Sequence, residues 1–411
     1  MASAKKVDQT LHDIIIENVQ CGFSDKEIAK RTGLGRSTVY DHRKQWESGI
    51  EKKATDAVEE HQLKRKVKEL EHEKQSLLNR LEKETTSFGV KGKLLDGVYE
   101  VPNWIEDRRG EARGTDDAVA VAFLSDMHLD EVVLPEQVDY VNAFNREIAE
   151  KRLKNFFSNT LQLAFDHTKG ISYSGLVLPF GGDFFSGNIH EELQQTNEAT
   201  IIESVLHWVG PIIAGVEQLD AEFHKVHIPC VVGNHGRLTR KPTAKNRAQD
   251  NFDFLLYHIV ARHFKDNPNV TFNISESADS FFTAFDTRFL LTHGDQFRGG
   301  GGIAGLLSPL MVGDHRKRKR QNAVRKPYDY MILGHWHQLS FFKGIIVNGS
   351  LKGYDEYASI SNFDFEPPQQ AFFLVQPEHG ITIQAPIHVL DKDESWQKLL
   401  GAQRPTSKLT H

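Results

Sequence analysis

The chain is poor in cysteine. Cys21 and Cys230 are the only two in 411 residues, far apart and in unlike surroundings. A disulfide framework is excluded on that count, and a reducing cytoplasm is the expected home. Long apolar runs are also missing: no stretch of about 18 such residues occurs, so no membrane-spanning helix is expected. No apolar segment follows the opening Met-Ala-Ser-Ala-Lys-Lys, so no secretory signal is expected. Charge of one sign is lacking as well. The net charge of -6 does not by itself point to a polyanion partner, but the charges are unevenly spread.

What is present is length for two or three units and an ample supply of 20 histidines, several in tight motifs. Residues 1–50 read as a small helical domain. Leu11, Ile14, Ile15, Ile16 and Val19 make an apolar helical face. Ser24 with Glu27 forms a capping-box pattern that opens a helix from Asp25 to Arg31. A third helix follows Ser37 and runs through Val39, Tyr40 and Trp46. Residues 51–88 are dense in charge. There Leu63, Val67, Leu70, Leu77 and Leu81 recur at spacings of four and three, with Lys74 in one seam position. That pattern fits either a single amphipathic helix or a coiled coil that would make a homodimer through 50–84. Residues 89–116 read as a linker, 117–390 as an α/β domain, and 391–411 as a polar tail.

Within 117–390, five short apolar runs each end at a polar cluster. The runs are Val119 to Leu124, Leu176 to Phe180, His227 to Val232, Arg288 to Thr292 and Tyr330 to Leu333. Length and flanking glycines make them buried strands. Helical patterns lie between, over Val138 to Leu163 and Asn197 to Leu219, where Pro211 should kink or split the second. The clusters read Asp126-Met127-His128, Gly182-Asp183, Gly233-Asn234-His235, His293-Gly294-Asp295 and Gly334-His335-Trp336-His337. One Asp or His at a strand end is usually a loop cap. Five such clusters in order are a specific signal, because strand ends in α/β sheets are where ligands bind. Imidazole with carboxylate suits manganese first, then iron or zinc, over magnesium or calcium.

The order Asp-x-His, Gly-Asp, Gly-Asn-His, His, Gly-His-x-His resembles the calcineurin-like metallophosphoesterase superfamily over about residues 117–390. The resemblance implies a layered β-sandwich flanked by helices and two divalent metal ions. Asp126, His128 and His337 would hold the first, Asn234, His293 and His335 the second, with Asp183 bridging. It implies hydrolysis of phosphate esters by a water activated between the metals, with His235 protonating the leaving oxygen. Two positions depart from the family: Ser186 stands where a second Asp is frequent, and Gly236 where an acid often follows Gly-Asn-His. Arg237 is expected either to face a substrate phosphate or to make a surface ion pair. Asp295 is expected to orient His293.

Two features point to nucleic acid. Phe23 to Trp46 resembles the helix-turn-helix of resolvase-like and repressor-like proteins, with Ala29 at the crossing and Gly33 in the turn. Arg36, Ser37, Thr38, Tyr40, Asp41 and Arg43 would then be exposed for the major groove; a protein-binding helical adaptor is the alternative. The second feature is the glycine run after Phe297 with Arg316, Lys317, Arg318, Lys319 and Arg320, expected as a basic loop. Such a run is either merely solvated or in contact with phosphates. Arg237, Arg240, Lys241, Lys245 and Arg247 add to the same mouth. The chain thus looks like the DNA repair exonuclease branch of the superfamily and like phosphoesterases of tailed phages and prophages, which would place it in a bacterial host cell. The expectation is a metal-dependent nuclease or phosphodiesterase acting on DNA. The alternatives are a phosphomonoesterase of proteins or nucleotides with an N-terminal docking module, and a non-enzymatic DNA-binding protein.

Overall fold

The computed structural model describes residues 2–49, 64–68, 70–76, 102, 116–297 and 307–390. The seam positions Leu63, Leu77 and Leu81, most of the 89–116 linker, the glycine run after Phe297 and the tail lie outside the described residues. The described parts of 51–88 are helical. Two compact units divide the chain, Met1–Lys91 and Gly92–His411.

The first unit has helices α1 (Ala2–Gln20), α2 (Asp25–Thr32) and α3 (36–49). Ile15, Ile28 and Val39, one from each helix, form its core, with Val19, Phe23, Ala29 and Leu34 packed around them. The Ser24 amide and hydroxyl both donate to Glu27 Oε2, at 2.9 and 2.6 Å, which satisfies the start of α2 as its sequence requires. Arg36, Ser37 and Tyr40 are exposed on α3, and Thr38 is half-buried. Arg43 departs from expectation: it turns back, with Nε 2.8 Å from Asp25 Oδ1 and Nη2 donating to Phe23 O at 2.8 Å. It ties the unit together instead of standing free.

The second unit is a two-sheet α/β sandwich. One sheet contains β1 (Asp116–Ala122), β2 (Ile171–Val177), β3 (Val226–Cys230) and β4 (Val270–Ile274), all parallel. A hairpin of β10 (Gln369–Gln376) and β11 (Gly380–His388) extends it antiparallel from β1. The other sheet contains β5 (Asp279–Ala284), β6 (Thr287–Thr292), β7 (Tyr330–Leu333), β8 (Ser340–Phe342) and β9 (Ile345–Val347), in the order β5-β6-β7-β9-β8. β6, β7 and β9 are parallel to one another. Alternate residues point to opposite faces. Val121, Phe123 and Val177 of the first sheet therefore meet Phe289, Leu291 and Ile332 of the second in a shared core. Leu290, Met331 and Leu333 point the other way.

Among the described residues of this unit the α-helices are α4 (Arg146–Leu161), α5 (Glu191–Thr196), α6 (Ile201–Phe223), α7 (Phe252–His263), α8 (Leu307–Ala323) and α9 (Glu356–Ile360), of which α4, α6, α7 and α8 pack on the sheets. α4 starts eight residues later than its apolar pattern suggests, because Pro135–Gln137 forms a 3-10 turn and Asp139 and Tyr140 adopt positive φ. Asn145 then caps it, accepting from the Ile148 amide at 2.9 Å. α6 begins at a Thr200–Glu203 capping box and passes through Pro211 without splitting. The 316–320 run lies on α8, not in a loop, and α8 packs on the outer face of the second sheet through Leu310. No helix among the described residues is long and apolar enough to cross a membrane.

α4 and α6 cross where Gly215 faces Phe157, and a Cβ there would overlap the Phe157 ring. Gly→Ala in a helix ordinarily stabilises by up to about 1 kcal/mol. Here we expect Gly215→Ala to destabilise instead, by about 1–3 kcal/mol of overpacking. Denaturant unfolding of the full chain would show it as a lower midpoint.

Candidate metal centre

The parallel strands of both sheets deliver their carboxyl ends to one edge of the sandwich. Past β1 the chain passes Leu124, which bridges Phe180, and reaches Asp126 and His128. Their amides donate to Gly182 O and Asp183 O at 3.0 and 3.1 Å. These pairs do not project from extended backbone. Asp126, His128, Asp183, His335 and His337 all adopt positive φ, between 47° and 70°. Each such non-glycine residue costs roughly 1–2 kcal/mol, a strain that clusters at functional sites.

The two carboxylates are inaccessible: Asp126 is 0% and Asp183 1% exposed. Asp126 Oδ1 accepts from the His335 amide at 2.8 Å, and Oδ2 from Ser125 Oγ at 2.5 Å. Asp183 Oδ1 accepts from the His235 amide at 2.6 Å, and Oδ2 lies 2.9 Å from His293 Nε2. Close approach explains the motif glycines. A Cβ at Gly334 would strike the Asp126 carboxylate, and one at Gly233 the Asp183 carboxylate.

The imidazoles converge on these acids. His128 Nε2 and His337 Nε2 face each other at 3.0 Å, and His337 Nε2 is 3.5 Å from Asp126 Oδ1. His293 Nε2 is 3.1 Å from Asn234 Oδ1. Three groups each bring a ligand atom per residue within 4.8 Å of the others: Asp126, His128 and His337; Asp183, His293 and His335; His128, Asp183 and His235. All seven expected ligands are therefore brought together, and His235 stands among them. Burial drives His128 down to about 4, helped by Lys352 and His235. Burial also takes His335 to about 4, with His293 adding to it. For His293 burial alone would act downward, but Asp183 overrules it and raises the ring to about 10.

The site fits divalent cations on its own chemistry. Among the described residues Asp126 and Asp183 have no Lys or Arg partner, only imidazoles. Buried carboxylates need compensating positive charge. His128 Nε2 and His337 Nε2 can share one hydrogen bond, or turn both lone pairs on a common cation. The mixed N and O donors suit manganese, iron or zinc.

Supporting contacts fix the rings. His293 Nδ1 donates to Gly181 O at 2.8 Å, not to Asp295, which is held bidentately by Arg247 at 2.9 and 2.7 Å. His235 Nδ1 donates to the carbonyl of Ser186 at 2.9 Å, so Ser186 orients it through its backbone. A Cβ at Gly236 would strike the Asn251 amide, and that tight packing leaves no room for a side chain. Among the described residues Arg237 makes no ion pair: it donates to Asn234 O, Thr239 O and Arg240 O and staples its own loop. Lys317 is buried on Asp279, Arg318 bonds Asp314, Tyr328 O and Asp329 O, and Arg320 also reaches Asp279. Arg316 and Lys319 are exposed.

Several supporting residues escaped the sequence reading. Asp253, at the start of α7, accepts the amides of Asp183 and Gly233 at 3.0 and 2.9 Å and so joins two of the loops. Burial and the neighbouring Asp183 push its carboxyl up to about 7. Glu131 lies 3.3 Å from His128 Nδ1 and is itself held by Lys352 at 2.8 Å; Lys352 also pairs with Asp355. Ser350 Oγ donates to Asp126 O at 2.9 Å. The signal for this last group was present, since the apolar run Ile345 to Val347 ends at Asn348-Gly349-Ser350, like the other five.

A family model described as a homeodomain-like domain matches residues 12–53. No curated protein matches the sequence. Among solved structures, the chain is similar to vacuolar protein sorting 29 from Cryptosporidium parvum, at 12% identity and a TM-score of 0.26, over 66% of this chain and 98% of that one. It is similar to zinc-bound Vps29 from Entamoeba histolytica, at 11% identity and a TM-score of 0.25, over 66% and 99%. A putative 5'-nucleotidase from Staphylococcus aureus matches at 10% identity and a TM-score of 0.29, over 69% and 58%.

A carboxylate behind a ligating imidazole fixes its orientation and basicity, and its loss usually costs about 10- to 100-fold in metal affinity. Glu131→Gln should therefore weaken manganese binding by about that factor, read by calorimetric titration, while the far-ultraviolet circular dichroism stays unchanged.

Proposed function

We propose that this chain is a metal-dependent phosphoesterase of the calcineurin-like type, acting on DNA as a nuclease or phosphodiesterase. One observation carries the proposal. Two Asp/His groups, joined through His128 and Asp183, meet in a buried centre whose carboxylates pair, among the described residues, with imidazoles and with no Lys or Arg. In this reading Asp126, His128 and His337 hold one divalent cation, Asn234, His293 and His335 the other, and Asp183 lies between them. Bound divalent cations supply Lewis-acid charge for phosphate oxygens and for water activation.

The chain's own residues do the rest. The Ser186 carbonyl can only accept, so His235 carries a proton on Nδ1 and presents Nε2 to the substrate. A protonated His235 can give that Nε2 proton to the leaving oxygen. The Asp183 side chain holds the His235 amide, so the acid is positioned by the same carboxylate that anchors the centre. The DNA assignment draws on the homeodomain-like match and on the exposed Arg36, Ser37 and Tyr40 of α3. Tethering of that kind raises the effective substrate concentration at the site.

With manganese, the full chain should hydrolyse bis(p-nitrophenyl) phosphate, and Asp183→Asn or His335→Ala should abolish turnover. His235→Asn should retain metal and slow turnover by about 10²- to 10⁴-fold, the range for losing a general acid; full activity on poor leaving groups would remove His235 from that role. Arg36→Ala combined with Tyr40→Ala should weaken duplex DNA binding in a gel-shift titration while ester hydrolysis persists. Unchanged DNA affinity would refute recruitment through α3.

A further inference from the structure

A cleft of about 240 Å³ opens between α8 and the loop that follows His293, lined by Gln296, Phe297, Arg316, Lys317 and Arg320 among others. Its place is set by a turn. The Phe297 amide donates to Gly294 O at 3.0 Å, a closure that keeps the turn's ends within about 7 Å of each other. Gly294 adjoins the expected ligand His293, and a Cβ on it would lie 3.3 Å from the Cβ of His335. A short turn therefore joins a lining residue of the cleft to the residue that follows His293.

Its charge is not balanced from within. Lys317 and Arg320 share one carboxylate, Asp279, so that trio keeps one positive charge. Asp295 is taken by Arg247 and Asp314 by Arg318. Among the described residues Arg316 forms no ion pair, and it is exposed. Lys317 and Arg320 are held in place by Asp279, and the Phe297 ring packs against Gly313 with Lys317 Nζ 5.6 Å from its centroid. The cleft thus carries two net positive charges, one from Arg316 and one from the Asp279-held pair of Lys317 and Arg320. A guanidinium matches phosphate geometry.

We propose that this cleft is a phosphate subsite, holding another backbone phosphate of the nucleic-acid strand engaged at the metal centre. The proposal rests on the phosphodiesterase reading for the identity of its ligand, and Arg316 is the residue that determines it. Of the five cations from Arg316 to Arg320, Arg316, Lys317 and Arg320 line the cleft.

The test is binding of 5'-fluorescein-labelled dT4 to the full chain in EDTA, read by fluorescence anisotropy over a range of salt. Four nucleotides are too few for the two-half-site recognition of a helix-turn-helix, and without metal no turnover intervenes. Arg316→Gln should weaken binding about 10-fold, as expected for one charge-assisted contact, and flatten the log–log salt slope by about 0.7. Lys154→Gln, the same charge change on exposed α4, should alter affinity less than twofold. The proposal is overturned if wild type does not bind dT4, if Arg316→Gln binds as wild type does, or if Lys154→Gln loses as much as Arg316→Gln. Displacement of dT4 by diphosphate at equal concentration would also overturn it, in favour of a site for free phosphoanions. Hydrolysis of bis(p-nitrophenyl) phosphate by wild type with manganese, run in parallel, reports on the metal-centre reading alone and separates the two failures.

Discussion

Two buried carboxylates hold five loops from two sheets in one place. Asp126 and Asp183 lie at the ends of β1 and β2, in the first sheet. The His335 amide on Asp126 and the His293 ring on Asp183 come from the second. Each carboxylate is thus a clamp across the sandwich edge as well as a candidate ligand. A buried carboxylate is costly unless its oxygens are bonded and its charge is offset. Backbone amides and imidazoles provide the first requirement here. The second is met only in part without cations, which makes the centre a place where metal binding and the docking of the two sheets reinforce each other.

The backbone around the clamp is strained. Five of the seven expected ligands occupy left-handed conformations, at a summed cost of roughly 5–10 kcal/mol. That conformation turns the chain sharply as it leaves a strand and aims neighbouring ligands into one crevice. The cost is comparable to the whole net stability of a domain, so it persists only because the surroundings over-determine it. The continuous core between the sheets, the Asp253 contacts to two loops and the Glu131–Lys352–Asp355 group do so. Substitutions in this supporting layer should act on metal binding before they act on the fold.

Five of the eleven described strands, and the polar clusters that follow them, are legible in the sequence because both are local signals; β4, β5 and β8 to β11 escape that reading. A buried parallel strand is a short apolar run, and its functional residues follow at once. Tyr330–Leu333 coincides residue for residue with its apolar run, β1, β3 and β6 lie within three residues of theirs, and β2 starts five residues earlier than Leu176. What was not legible depended on partners distant in sequence. Asp295 was assigned to His293 by proximity along the chain, whereas Arg247, 48 residues away, claims it. Ser186 was read as a missing acid, yet its contribution is a carbonyl that any residue would supply. α4 was extended back to Val138 because apolar spacing continues there, but Pro135 and the positive φ of Asp139 and Tyr140 impose another path.

The basic run at 316–320 shows why a row of charges along a sequence is not a patch in space. A helix turns 100° per residue, so five consecutive cations must point in different directions. Residues 313, 316, 317 and 320 recur at i, i+3, i+4 and i+7 and therefore share one face, the wall of the cleft. Arg318 is rotated away to bond Asp314 and the carbonyls of Tyr328 and Asp329, so it braces α8 against the second sheet. Lys319 points to solvent. One run thus divides into structural cations, cleft cations and a solvated one, according to angle about the helix axis. Net charge alone would treat all five alike; their helical phase separates the cation that braces the scaffold and the one in solvent from those that line the cleft.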